Sequence, residues 1–79
     1  LSEWNKKKAI LQCNLGNILK EKEISALKLS KDLDYRRSTI NDLVTNREME
    51  HKRIPATLIA RLCVYLEITP NDLFTVTYE

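Results

Sequence analysis

Fifteen residues, Leu29 to Leu43 (LSKDLDYRRSTINDL), constrain this chain more than any other stretch. Leu29 and Leu33 stand one helical turn apart and Ile40 and Leu43 three residues apart, while Asp34-Tyr35-Arg36 between them carries no continuous apolar stripe. The pattern fits two short helices meeting at an angle through a tight turn. The second of these helices opens with Arg36, Arg37, Ser38 and Thr39, each able to donate hydrogen bonds to phosphates or base edges.

At 79 residues the chain is expected to form one domain spanning residues 1–79, near the lower limit at which a hydrophobic core suffices without metal or disulfides. One Trp, three Tyr and one Phe leave most of the burial to Leu and Ile, which suits a compact helical bundle. A single Gly and two Pro argue against a turn-rich β-sandwich. No apolar run approaches the roughly 20 residues that cross a bilayer, and the N-terminus lacks a signal-peptide layout. The expectation is a soluble, cytoplasmic protein without membrane contact. Leu1 is not an initiator methionine, so little weight falls on the first few residues.

Net charge is only +2, so attraction to a polyanion requires uneven placement. Arg36, Arg37, Arg47, His51, Lys52 and Arg53 fall between Tyr35 and Ile54, against Asp42, Glu48 and Glu50. A second basic run, Lys6-Lys7-Lys8, reads as a solubilising patch, and the role of Trp4 is open. Cys13 and Cys63 lack any CxxC or Cys/His ligand spacing and read as small apolar residues held reduced. His51, in a charged stretch, reads as solvated. Neither a metal nor a cofactor nor a small-molecule ligand is implied, and the scattered Ser, His and Asp give no catalytic constellation.

Along the chain, Ala9 to Cys13 suits a strand or the lead into a first helix, and Phe74-Thr75-Val76-Thr77-Tyr78 alternates as a strand does. A lone strand needs a partner, so the two terminal segments are expected to pair as a two-stranded sheet. Asn14 would cap a first helix from Leu15 to about Lys22, with Gly16 marking either a close backbone approach or nothing. Ser25 would cap a second helix, Ala26 to Leu33. A third would run from about Arg37 to Val44, with Asp34 and Asn46 in the left-handed turns that follow the second and third helices. Arg47 to Arg53 reads as an exposed loop. Pro55 fits the first position of a fourth helix with Leu58, Ile59, Leu62, Cys63 and Leu66 inward, and Thr69-Pro70-Asn71-Asp72 opens a short fifth.

With helices so placed, the chain resembles the Cro/CI-type (XRE-like) helix-turn-helix family of phage repressors and small bacterial regulators. The residues carrying the likeness are Leu29, Ser38-Thr39-Ile40 and the ending LIARLCVYLEITPNDLF, with Cys63, Asp72 and Leu73 resembling one branch in particular. The resemblance implies an all-α, five-helix, lambda-repressor-like domain with its helix-turn-helix at about residues 25–45, which binds double-stranded DNA as a homodimeric transcriptional regulator. It also implies that the third helix enters the major groove. Facing Ile40 and Leu43 to the core turns Arg37, Ser38, Asn41 and Asp42 outward, as expected base contacts: Arg37 for guanine, Asn41 for adenine, Asp42 for a cytosine amino group. Ser25, Arg36, Thr39, Arg47 and Lys52 are the expected phosphate contacts, Ser25 through the amides that open the second helix.

The chain departs from the family in several places. Ala26 stands where a phosphate-binding Gln is frequent, and Asp34 and Asn46 stand where Gly is common. Leu19 and Val44 replace an Arg–Glu pair, and the 47–53 loop is longer and more charged than usual. The competing expectation is a protein-interaction module on the same fold, such as an antitoxin or anti-repressor. An open basic surface around the third helix favours DNA, and an exposed apolar patch there favours a protein partner.

Overall fold

The computed structural model describes residues 8–78, so Trp4, Lys6 and Lys7 lie outside the described residues. Two strands, β1 (Ala9–Cys13) and β2 (Phe74–Tyr78), enclose α1 (Leu15–Lys22), α2 (Ala26–Leu33), α3 (Arg37–Thr45), a single 3-10 turn (Met49–His51), α4 (Ala56–Leu66) and α5 (Pro70–Leu73) in sequence. The strands pair antiparallel, with Ala9 opposite Tyr78, Leu11 opposite Val76 and Cys13 opposite Phe74. The Asn14 amide continues the ladder by donating to the Leu73 carbonyl at 2.7 Å. Of the two readings open for Ala9 to Cys13, the strand is the one formed.

Leu15, Leu19, Leu29, Leu33, Ile40, Leu43, Leu58, Leu62, Leu66 and Leu73 join Cys13 in one buried cluster. The three leucines and one isoleucine of the helix-turn-helix, Leu29, Leu33, Leu43 and Ile40, therefore anchor both of its helices to the same core, which fixes their mutual angle. Each Leu buried there contributes about 1.5–3 kcal/mol relative to exposure. Val44 packs on the edge of this cluster and Leu19 lies within it, so apolar packing occupies the place of the family's ion pair. Gly16 proves to be a close approach: a Cβ there would lie 3.2 Å from the Val44 carbonyl oxygen and 3.3 Å from its Cγ1. Both cysteines are free, Cys13 buried and Cys63 half-buried, and burial pushes the Cys13 thiol pKa up.

Helix ends account for most of the differences from expectation. α1, α2, α3 and α4 all close on a left-handed residue, and in a chain whose one Gly is helical these are Glu23, Asp34, Asn46 and Glu67. Asp and Asn tolerate that conformation, whereas Glu gives no such signal. Asn14 stands at the N-cap of α1 but its side chain does not cap. It donates instead to the Asp72 carbonyl and the Thr75 hydroxyl, tying α1 to the start of β2. Pro55 is the N-cap of α4 with extended backbone (ψ 136°), one residue before the expected position. At α5 the Asp72 carboxylate accepts from both the Thr69 amide and the Thr69 hydroxyl. The 47–53 segment is not wholly exposed: its 3-10 turn half-buries Met49 against the core. A single apolar side chain gives no period to detect.

Candidate nucleic-acid interface

Ser25 caps α2 as expected, its hydroxyl oxygen accepting from the Lys28 amide at 3.0 Å. The turn between α2 and α3 closes when the amides of Asp34 and Tyr35 donate to the carbonyls of Lys31 (3.1 Å) and Ser30 (2.9 Å). Asp34 takes φ 52°, which swings the chain, and Arg36 becomes the extended N-cap of α3. Two contacts from α4 steady α2 from behind. The Arg61 guanidinium donates to the Leu33 carbonyl, and the Tyr65 hydroxyl donates to the Asp32 carboxylate, which also pairs with Lys28 at 3.1 Å. Together Tyr65 and Lys28 hold the Asp32 carboxyl below the usual range.

On α3, Ile40 and Leu43 are buried, and Arg37, Ser38, Asn41 and Thr45 are exposed. The expected base-contact residues Arg37, Ser38 and Asn41 thus share the open side of the helix. Arg36 is exposed beside half-buried Thr39, and with Asp34 and Tyr35 they line a polar surface hollow at the mouth of α3. Past the far end of α3, Glu48, His51, Lys52 and Arg53 line a second hollow, and Arg47 is exposed. His51 and Arg53 flank Lys52 in the sequence, and they line this hollow with it although only Lys52 and Arg47 were expected contacts in this segment.

Asp42 is half-buried and is engaged by Lys52, whose ammonium lies 3.1 Å from its Oδ2. An expected base reader and an expected phosphate contact are therefore ion-paired to each other. Nothing in the sequence singles out that pair among the basic residues nearby. The large apolar side chains exposed among the described residues are Leu11, Leu27, Val64, Val76 and Tyr78, and none lies on α3.

A helical core with the outer side of its third helix left polar and open, flanked by arginines, is the arrangement of a helix-turn-helix that reads DNA. The family model for the Cro/C1-type HTH DNA-binding domain matches residues 14–79. The chain belongs to that family. No curated protein and no solved structure gives a significant match. The match begins at Asn14, so β1 precedes it while β2 lies within it. No helix among the described residues of this HTH domain is long and apolar enough to cross a membrane.

Proposed function

We propose that this HTH domain is a sequence-specific transcriptional regulator of the repressor type that acts in the cytoplasm, with α3 inserted in the major groove. The observation carrying this reading is the composition of α3's exposed side, which offers Arg37, Ser38 and Asn41 and no large apolar residue. Arg37 suits a bidentate bond to guanine and Asn41 to adenine, while Ser38 pairs with either. Arg36, Thr39 and Arg47 suit phosphates on the two sides of the groove, and Ser25 marks the amide-rich start of α2 as a further phosphate site. The absence of an apolar patch on α3 favours DNA over the protein-interaction alternative there.

A homodimer follows from the modest affinity of a single module and the half-site spacing of about 34–36 Å that two such helices read. Leu11, Val76 and Tyr78 on the sheet and Val64 on α4 supply apolar surface off the DNA side for that contact. Fluorescence anisotropy with a random-sequence DNA pool, at about 50 and 200 mM salt, tests the reading. Affinity is expected to fall steeply with salt, with a log–log slope of about −0.9 per phosphate contacted. Salt-insensitive binding or none would remove it.

A further inference from the structure

Asp42 is the one acidic residue of α3, on the helix proposed to enter the groove. A bare carboxylate there faces the phosphates and weakens every complex. Lys52 answers it from ten residues further on, Nζ to Oδ2 at 3.1 Å, with only 18% of the Lys52 side chain and 32% of the Asp42 side chain exposed. The segment carrying Lys52 is itself held down. Met49 is half-buried against the core, and Glu50 pairs with Lys8, at the foot of β1, at 3.0 Å. Among the described residues, exposed Arg36, Arg37 and Arg47, by contrast, take part in no ion pair.

We propose that Lys52 is a positioning residue that neutralises Asp42 when α3 docks, so that Asp42 reads no base and Lys52 grips no phosphate. The inference rests on the DNA-binding reading and reassigns two residues within it. Lys52 pins the 47–53 segment to α3 and removes the negative charge that would otherwise sit among the DNA phosphates. Sequence discrimination then falls to Arg37, Ser38 and Asn41.

A double-mutant cycle on DNA binding separates the roles. Lys52→Ala should weaken binding to all sequences by roughly tenfold, because it leaves Asp42 uncompensated at the DNA surface. Asp42→Asn should leave base preference unchanged, with affinity equal to or tighter than wild type. The combined Asp42→Asn/Lys52→Ala protein should return to within about threefold of wild type, since the two effects are coupled. Its salt slope should match wild type, whereas loss of a direct phosphate contact would reduce the slope by about 0.9.

Lys52→Gln, alone and with Asp42→Asn, serves the same cycle should the alanine protein fold poorly. A combined variant as weak as the single Lys52 variant, or loss of a cytosine preference in Asp42→Asn, would overturn the proposal while leaving the DNA-binding reading intact. Absence of salt-sensitive binding by the wild-type protein would overturn both.

Discussion

The side-chain amide of Asn46 grips both backbone groups of Cys13: its Oδ1 accepts from the Cys13 amide at 2.6 Å, and its Nδ2 donates to the Cys13 carbonyl at 3.1 Å. Asn46 also closes α3 in the left-handed conformation, φ 58°. One residue thus stops the recognition helix and fastens it to the inner end of β1. Asn46→Gly keeps the backbone conformation and loses both hydrogen bonds, so it should cost about 1–3 kcal/mol in urea unfolding. Asn46→Ala should cost about 1 kcal/mol more, because alanine is strained at that φ. Equal stability of Asn46→Gly and wild type would mean the clamp contributes nothing.

Glu67 ends α4 at φ 56° and ψ 48°, with its side chain exposed. Replacing it with glycine relieves a left-handed strain of about 1–2 kcal/mol and returns part of that as unfolded-state entropy. The expected net gain for Glu67→Gly is about 0.5–1 kcal/mol, read as a higher thermal midpoint. A lowered midpoint would show that the glutamate side chain contributes more than its backbone costs.

Within the proposed complex, Arg37 and Arg47 should fail differently. Arg37→Ala should cost about 1–3 kcal/mol at one base pair and flatten the preference there. Arg47→Ala should weaken all sequences alike and make the salt slope shallower by about 0.9. Selection from random DNA with each variant measures both effects. Identical profiles for the two would contradict the division between base and phosphate contacts.

Tyr65 and Asp32 give a pH signature. The Tyr65 hydroxyl first, then Lys28, lowers the Asp32 carboxyl pKa, so that contribution is present above the unfolded carboxylate value of about 3.9 and is lost as pH falls through the folded one. The same hydrogen bond raises the Tyr65 pKa. Stability from that shift is present below the tyrosine's ordinary value of about 10 and is lost as pH rises through the raised one. Tyr65→Phe should therefore be less stable than wild type across a plateau from about pH 4 to 10, with the gap closing at both ends. Because these groups are exposed, the gap should also narrow with salt. A pH-independent difference would point to packing of the ring instead.

Much of this domain was legible along the chain, for one physical reason: helix and strand periods are local. Leu29, Leu33, Ile40 and Leu43 announced two core-facing helices, the Thr-interleaved ending announced a strand, and Asp34 and Asn46 announced turns that most residues resist. The outward side of α3 followed from the same period, since fixing Ile40 and Leu43 inward fixes Arg37, Ser38 and Asn41 outward. Glu23 and Glu67, left-handed as well, could not be read this way, because glutamate has no local preference for that conformation.

Contacts between distant residues belong to the tertiary structure alone. Gly16 could mark a close approach or nothing until α1 lay against Val44. Asn46 reaches back 33 residues to Cys13, and Asn14 reaches forward 61 to Thr75. Asp42 could have been answered by any of several cations, and only the half-buried turn at Met49 brings Lys52 to it. Helical period alone turned Arg37, Ser38 and Asn41 to solvent, and misplaced Asp42 among them. Folding decided which of them remain free to meet DNA, because charge pairing depends on distance in space and the chain specifies only distance in order.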